Sequence, residues 1–453
     1  MALSPTEVQT IDRLRQRLDA DHLTDEKHLR YYQGRQRVEQ LGMAIPAQMR
    51  RFLVIANWCR TVVDTTNDRQ QVRALVLPGE ETADPLLREI WDANNLSAHF
   101  SMFNTDRQIY GRAFMSVGAN EDSPDHPIVR VESPREMVAE VDVRRERITA
   151  AARFYGVDPV TGISPQHVTL YLPDVTVWVD RTEKGRWVEV DRDEHRLGAV
   201  PIVMHLNRRM SGGWVGESQL ADVIPFADAA ARSLTNMQFA QEAHGAPRMW
   251  MTGVAQGDFI DAAGKPVPKL EAYFNAVTTL TNKDAKVGQL SAADLKNFET
   301  AMSVYGTQAA VVTGFPARYF GITHQQPPTE GTVVADEISL VRSVEAQNLQ
   351  LGMTIGWAGA LAYRFSTGEW VEGNRVRTEW HNPATPTVAQ REDALMKRRS
   401  QGVLSRRGYM VELGWSEARI AQELQWLEEE SGGMDPYLIA DANGRRADAA
   451  ALG

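Results

Sequence analysis

Two hydrophobic periods divide the chain. Apolar residues recur every three or four positions over most of it, which predicts amphipathic helices, but the period falls to two over residues 112–206. Within that segment Val168, Leu170 and Leu172 alternate with Thr169 and Tyr171, and turn residues separate several such short runs. Strands that follow one another without intervening helices form antiparallel sheets. The expected fold class is therefore α+β.

The region before these strands is expected to be helical. The pattern predicts helices over residues 5–18, over a segment ending at Gly34, and over 47–67, 82–95 and 96–111. Ser4, Pro5 and Glu7 form a typical helix start, with Ser4 as the cap and Glu7 bonding back to it. Gly34 suits the left-handed position after a helix.

A second pattern covers residues 217–365. It predicts a helix, a compact insert with short strands, a second helix, a polar loop and one long third helix. Pro225 should kink the first helix or mark its true start, and Ser291 with Asp294 resembles a capping box for the second. The long helix is expected to begin near Gly331.

Three glycines, Gly352, Gly356 and Gly359, lie within the long helix. They would permit either a bend in it or close packing against a neighbouring element, and the pattern alone favours neither. After it, residues 371–380 are extended in character and are expected to return to the main sheet. Helices over 387–401, 405–413 and 416–430 follow, with Gly402 and Gly414 ending the first two.

Composition narrows the function. The chain has 453 residues and a net charge of -10, with 49 basic and 59 acidic residues. Its length exceeds a single hydrophobic core. Its basic residues are scattered along the chain, so any DNA is expected to pass by rather than be held. The only cysteine, Cys59, lies in an apolar context, which suits a reducing cytoplasm and a buried thiol. No signal peptide or membrane span is expected.

No specific signature of an enzyme or a metal site is found in the sequence. The glycines of residues 212–216 could cradle an anion, but a flexible joint is favoured because the lysine of a phosphate loop is missing. Glu140 and Asp142 share a strand face, where a solvated surface is favoured over acid–base chemistry. His324 has no second ligand at helical spacing. No catalytic residue, metal or cofactor is therefore predicted.

The order of several motifs resembles the portal proteins of tailed bacteriophages, in the branch of long-tailed phages that infect actinobacteria. The resemblance spans nearly the whole chain. It is carried by residues 31–34 (YYQG), 57–64 (NWCRTVVD), 110–117 (YGRAFMSV), 195–203 (HRLGAVPIV) and 217–228 (ESQLADVIPFAD), and by the helical segments 295–320 and 332–365.

The resemblance implies an α+β portal fold with an antiparallel-sheet wing, a helical stem, a small β-containing clip, a long kinked helix and a helical crown. In these terms the wing comprises residues 1–210 and 366–386, and the stem 217–243 and 291–314. The clip would be 244–290, the channel loop 315–331, the long helix 332–365 and the crown 387–453.

The resemblance also implies a function. Such a protein forms a ring, usually of twelve copies, at one capsid vertex, through which a terminase motor drives double-stranded DNA in and DNA later leaves. The implied partners are other copies of the chain, the terminase large subunit, a head–tail adaptor, the major capsid and scaffold proteins, and DNA bound without sequence specificity. No membrane is involved. The location would be the virion, after assembly in the host cytoplasm.

Two sets of site residues follow from this resemblance. The channel loop would present Thr323, His324, Gln325, Gln326, Thr329 and Glu330 to DNA. The clip would present Asp258, Asp261 and Lys265 to the terminase or the adaptor. The alternatives are a head–tail adaptor or another minor capsid protein, usually much shorter, and a phage-encoded hydrolase, which would need an active site.

Overall fold

The computed structural model describes residues 3–36, 54–157, 162, 164–182, 184–244, 249–253, 286–289, 295–322, 330–371, 376–384 and 388–432. Two compact units are distinguished: residues 1–327 with 336–383, and residues 328–335 with 384–453. The helices are α1 (Pro5–Gln33), α2 (Trp58–Asn67), α3 (Pro85–Ala93), α4 (Leu96–Tyr110), α5 (Ile224–His244), α6 (Lys296–Thr313), α7 (Glu330–Thr367), α8 (Val388–Ser400), α9 (Arg406–Glu412) and α10 (Glu417–Gly432).

The strands are antiparallel to their neighbours throughout the described residues. They are β1 (Val72–Val76), β2 (Arg112–Gly118), β3 (Ile128–Glu132), β4 (Met137–Asp142), β5 (Arg147–Tyr155), β6 (His167–Tyr171), β7 (Thr176–Arg181), β8 (Trp187–Asp193), β9 (Ile202–Leu206), β10 (Met249–Thr252), β11 (Lys286–Gln289) and β12 (Arg377–Trp380). The α+β class is confirmed.

The first unit contains a layered arrangement of sheets. Strands β4 to β8 form a five-stranded meander in chain order, and β2 pairs with both β3 and β9 in a three-stranded sheet. Side chains alternate between the two faces of the meander. Phe154 and Leu170 pack with Leu14 of α1 on one face, whereas Ala151 packs with Phe114 and Ile202 of the three-stranded sheet on the other. The meander is thus covered on both sides.

Helix α1 begins as the sequence predicts. Ser4 Oγ accepts a hydrogen bond from the Glu7 amide at 3.3 Å, and the Glu7 carboxylate accepts one from the Ser4 amide at 2.7 Å. Gly34 ends the helix with a φ of 67°. The two helical segments expected before Gly34 are one continuous helix of 29 residues.

The helix expected over residues 47–67 begins later than predicted within the part that the structure describes, residues 54–67. Residues 54–57 are not helical, and α2 begins at Trp58 because Asn57 caps it by accepting a hydrogen bond from the Arg60 amide. The β-branched residues Val54 and Ile55 disfavour helix, and the Asn57 side chain provides the stop signal that periodicity does not show.

Strand β12 does not return to the main sheet as expected. It pairs instead with β1, a strand missing from the sequence prediction, in a separate two-stranded sheet. This small sheet packs with α3, α4 and the second half of α7 in one hydrophobic core. The pattern of residues 72–76 is too short and too uneven to predict a strand by itself.

Helix α7 runs without interruption for 38 residues. At Gly356 an added Cβ would lie 2.0 Å from the carbonyl oxygen of Val376, so a larger residue would collide with the chain just before β12. The Thr378 hydroxyl also donates to the Gly352 carbonyl at 3.0 Å. Of the two expectations for these glycines, the structure shows close packing. Pro225 stands second in α5 and marks its start.

The second unit contains α8, α9 and α10. Gly402 and Gly414 follow the first two helices with φ values of 72° and 83°, as predicted. Leu395, Met410 and Ile420 are buried, whereas Leu424 and Leu427 of α10 are half-buried.

Candidate functional site

Most of the predicted site residues lie outside the described part of the chain. Of the channel-loop set, Thr323, His324, Gln325, Gln326 and Thr329 are outside it, and Glu330 is the first residue of α7. Asp258, Asp261 and Lys265 of the predicted clip are outside it too, as are Ser291 and Asp294. The structure does describe the two segments that flank the loop, residues 295–322 before it and 330–371 after it.

The segment before the loop is a tight double turn. Gly314 ends α6 with a φ of 72°, a 3-10 helix covers Ala317–Phe320, and Gly321 follows with a φ of 84°. Both glycines occupy the left-handed region, where a side chain is strained. The chain therefore reverses between α6 and residue 322 in a fixed way.

Aromatic side chains anchor this turn in the core. Phe320 is 4% exposed and meets Trp58 of α2 edge to face, with 5.5 Å between the ring centroids. Phe315 packs beside Phe320 at 6.5 Å. Burial of two such rings contributes about 2 kcal/mol each. The start of the loop is thus attached to the same core that contains Leu340 and Val344 of α7.

An ionic cluster joins the two ends of the loop. Arg318, just before it, donates to Asp336 at 2.7 Å and to the carboxylate of Glu337, and both acids lie in α7 just after the loop. Tyr319 donates its hydroxyl to Glu337 at 3.2 Å. We call Arg69, Arg318, Tyr319, Asp336 and Glu337 the loop-base cluster.

Arg69 ties the loop-base cluster to the body of the unit. Its Nη2 lies 3.3 Å from Glu337 Oε1 and 3.1 Å from the Tyr319 hydroxyl. The Glu337 side chain is 9% exposed, so solvent screens these pairs weakly. The opposing charges hold residues 318–319 and 336–337 side by side.

A second polar network lies deeper in the same unit. Arg107 of α4 is 1% exposed and donates to the amide oxygens of Asn104, Gln70, Gln347 and Asn207, at 2.8, 2.9, 3.0 and 2.5 Å respectively. No carboxylate among the described residues pairs with it. Burial lowers the pKa of Arg107 to about 9. We call these five residues the Arg107 network.

His205 of β9 lies beside this network. Its Nδ1 is 2.8 Å from the Thr354 hydroxyl of α7, and the residue is 5% exposed. Burial, together with the positive charge of Arg107, lowers the pKa of His205 to about 3. The imidazole is neutral at physiological pH. It therefore joins β9 to α7 through a neutral hydrogen bond.

Gly111 and Gly216 bring the start of β2 against the segment before α5. An added Cβ at Gly216 would lie 1.8 Å from the Gly111 carbonyl oxygen, and Asn207 donates its amide to that same oxygen at 2.8 Å. The glycine-rich segment 212–216 was expected to be a flexible joint. At its Gly216 end, however, the backbone packs closely against that of Gly111. An anion-binding role has no support in these contacts.

The remaining chemical candidates have structural roles. Cys59 is 1% exposed, and burial raises the pKa of its thiol to about 12, so a thiolate does not form at neutral pH. Glu140 pairs with Arg13 at 2.5 Å, and Asp142 accepts the Arg144 and Arg145 amides in the turn that follows β4. Over the described ranges, no group of His, Cys, Asp or Glu could hold a metal ion. None of the described helices is long and apolar enough to cross a membrane.

The insert between α5 and α6 is described only at its base. There β10 pairs with β11, with Met249 opposite Gln289 and Thr252 opposite Lys286. The two ends of the insert are thus joined by a short antiparallel ladder. This agrees with the expected β-containing insert and leaves the placement of Asp258, Asp261 and Lys265 a prediction.

Sequence reasoning missed both polar clusters. In the loop-base cluster Arg69 is 250 positions from Tyr319 and Arg318 is 18 positions from Asp336, so these pairs carry no local signal. Arg107 does carry a local signal, since it lies at helical spacing from the buried Phe100 and Phe103. A charged residue on the apolar stripe of a helix needs internal partners.

Comparisons with known proteins show what this chain is similar to. The family described as "Phage portal protein, SPP1 Gp6-like" matches residues 11–436. The portal proteins of Mycobacterium phages D29 and L5 are each 32% identical over 413 residues, covering 88% of this chain and 84% of theirs.

Solved structures give weaker likenesses. The neck of an empty gene transfer agent particle, computed with C6 symmetry, matches with a TM-score of 0.41, and the virion of the native particle with 0.43. Both are 14% identical and cover 83% of this chain and 96% of the matched one. The family match and the two relatives, which span nearly the whole sequence, show that the chain belongs to the SPP1 Gp6-like family of phage portal proteins.

Proposed function

We propose that this portal protein forms a closed ring of identical subunits, about twelve, at one vertex of the capsid. Double-stranded DNA would enter through it under the terminase motor and leave through it by way of the head–tail adaptor. The single observation that carries the proposal is the family match over residues 11–436, which includes all the described helices and strands except the first six residues of α1. The ring would be part of the virion and would assemble with capsid and scaffold proteins in the host cytoplasm.

Exposed apolar side chains on two helices support the ring. Ile338, Leu349 and Met353 of α7 are 46%, 76% and 79% exposed and fall within about 60° of one another around the helix. Val304 and Val311 of α6, seven residues apart, are also exposed on one face. Apolar stripes of this kind are typical of surfaces that another subunit covers. A ring covers them by heterologous contacts that close by rotation.

The loop-base cluster supports the channel loop that we propose within residues 315–331. Its ion pairs hold residues 318–319 beside residues 336–337, as expected at the base of a loop. Thr323, His324, Gln325, Gln326, Thr329 and Glu330 would face the lumen. Polar side chains there can touch the DNA backbone without reading bases.

The mass of the purified protein tests the ring. We expect a discrete species near twelve subunits by native mass spectrometry, with a central hole in negative-stain class averages. Leu349→Asp with Met353→Asp should leave the subunit folded but prevent closure, because two charges would be buried at the interface. Leu23→Asp on α1, equally exposed at 81%, is the matched control and should form rings. A stable dimer of the unmodified chain would refute the ring.

Deletion of residues 324–328 tests the loop. We expect rings of normal mass that package or retain less DNA, since the deletion leaves the loop-base cluster in place. Loss of assembly in this variant would contradict the assignment, because a lumenal loop makes no contact that closes the ring.

The clip assignment is tested by docking. We propose that Asp258, Asp261 and Lys265 face the terminase large subunit and the adaptor. Charge reversal at these positions should weaken docking in a pull-down and spare the ring mass. Unchanged docking in all three reversals would remove them from the proposed surface.

A further inference from the structure

One corner of the second unit departs from the acidic character of the chain. Between Asp393 and Glu412 there are five basic residues and no acidic one, in a protein whose net charge is -10. The five are Lys397, Arg398 and Arg399 in the last turn of α8, and Arg406 and Arg407 at the start of α9. We call them the basic corner. The impression of scattered basic residues is therefore wrong for this segment.

A fixed turn brings the two halves of the basic corner together. The Gln401 amide donates to the Lys397 carbonyl at 3.0 Å, and the Val403 amide to the Arg398 carbonyl at 3.1 Å. The Arg399 guanidinium donates to the Leu404 carbonyl, also at 3.0 Å. Ser405 then caps α9 by accepting from the Gly408 amide at 2.9 Å. Only the five residues 401–405 separate the helices, so the cations share one corner.

Helix stability explains only half of these charges. Cations in the last turn of α8 interact favourably with the helix dipole. At the start of α9 the same dipole disfavours Arg406. Lys397 is paired with Asp393 at 2.6 Å, so the repulsion across the turn involves chiefly the exposed Arg398 and Arg406. Arg398 and Arg406 are exposed, so burial against an apolar surface does not account for them. A polyanion bound at the corner would offset both costs.

The side-chain chemistry selects the kind of polyanion. Four of the five cations are arginines, whose planar guanidinium groups bind phosphate through paired hydrogen bonds. The aromatic residue in this stretch, Tyr409, is half-buried, which leaves no exposed ring for unpaired bases to stack on. Backbone phosphates of an intact duplex fit this surface better than single strands do.

We propose that the basic corner binds the phosphate backbone of duplex DNA, independent of base sequence. The choice of DNA rests on the proposed function, which brings a duplex to this chain. Binding here would be electrostatic. Its affinity should therefore fall steeply with salt, by counterion release.

The test uses the full-length protein and a covalently closed circular duplex, which cannot thread a preformed ring. Binding is measured by filter retention over a salt series. For Arg398→Gln with Arg406→Gln, the slope of log affinity against log salt should become shallower by about 1.8, or roughly 0.9 for each lost phosphate contact. The matched control is Arg144→Gln with Arg145→Gln, two exposed arginines in the turn after β4, and its slope should equal that of the unmodified protein.

The outcomes separate this inference from the ring itself. An unchanged slope and affinity in the corner variant would overturn the inference, even if rings form. If the unmodified protein forms no ring but the slope of the corner variant is shallower by the expected amount, the ring is refuted and the inference about the basic corner is supported. Poly-glutamate that competes with the duplex at equal charge concentration would assign the corner to an acidic protein segment and overturn DNA as its ligand.

Discussion

Arg107 and Glu337 each carry a charge into the interior of the same unit, but their partners differ. Arg107 is surrounded by the amide oxygens of four side chains, which accept its hydrogen bonds and supply no opposing charge. Glu337 lies between two arginines and a tyrosine hydroxyl. In the first network the desolvation cost of the charge is only partly offset, whereas in the second it is met by ion pairs.

The difference indicates different roles. The amide network fixes geometry because one guanidinium donates to four side chains at once, and it ties α4 to α7 and to the segment after β9. The loop-base cluster depends on the single buried carboxylate of Glu337, so one neutralisation can open it, and it affects chiefly the two flanks of the loop. We therefore expect damage at Arg107 to be global and damage at Glu337 to be local.

The largest effect is expected for Arg107→Ala. It removes the shared donor of four buried or half-buried amide oxygens and leaves a cavity, so the free energy of unfolding should fall by about 3–5 kcal/mol. Urea denaturation of the purified protein measures this. Arg107→Lys should recover part of the loss, since its three donors cannot reach four oxygens. Equal stability of the alanine variant and the unmodified protein would show that the network does not hold the unit together.

A smaller effect is expected for Glu337→Ala. Arg69 loses its carboxylate but Arg318 keeps Asp336, so the cost should be about 2–3 kcal/mol. Hydrogen exchange should show faster exchange in residues 317–322 and in the first turns of α7, with the strands unaffected. Glu337→Gln, which retains an acceptor for the Tyr319 hydroxyl, is the matched control and should lose less. Faster exchange throughout the unit would contradict a local role.

The smallest effect concerns His205 and pH. Its folded pKa of about 3 lies below the ordinary value near 6.5. The unfolded chain therefore binds a proton that the folded chain does not, and stability is lost as pH falls from 6.5 towards 3. Between pH 6.5 and 5 this amounts to about 1.6 kcal/mol. In His205→Gln that contribution should vanish, and the difference between the two pH profiles isolates it from other groups. Parallel profiles would refute the buried neutral imidazole.

What the sequence could predict depends on the distance between partners. Ser4 and Glu7 interact within the first turn of α1, and Gly34 bonds within its last turn. The alternation around Leu170 likewise depends only on its own strand. These features were therefore predicted. The pairing of β1 with β12 joins residues about 300 positions apart, and no local pattern shows it. Gly356 was recognised as unusual, but the choice between bending and packing depends on Val376, which only the fold brings near.

The candidate site divides in the same way. The loop residues around His324 were chosen by resemblance and composition, and their position remains a prediction. The cluster that holds the loop was not found, because Arg69, Arg318 and Glu337 are individually ordinary residues on polar segments. Arg107 could have been found, since its position on the buried face of α4 requires partners.

The thiol of Cys59 has a practical consequence for spectroscopy. It is the sole cysteine of the chain, is 1% exposed and has a pKa raised to about 12, so maleimide reagents should not modify it in the folded protein. The natural sequence therefore serves as a silent background for labelling. A cysteine introduced at Gln325 would carry one fluorophore per subunit, and its quenching by DNA inside an assembled particle would report directly whether this loop meets the passing duplex.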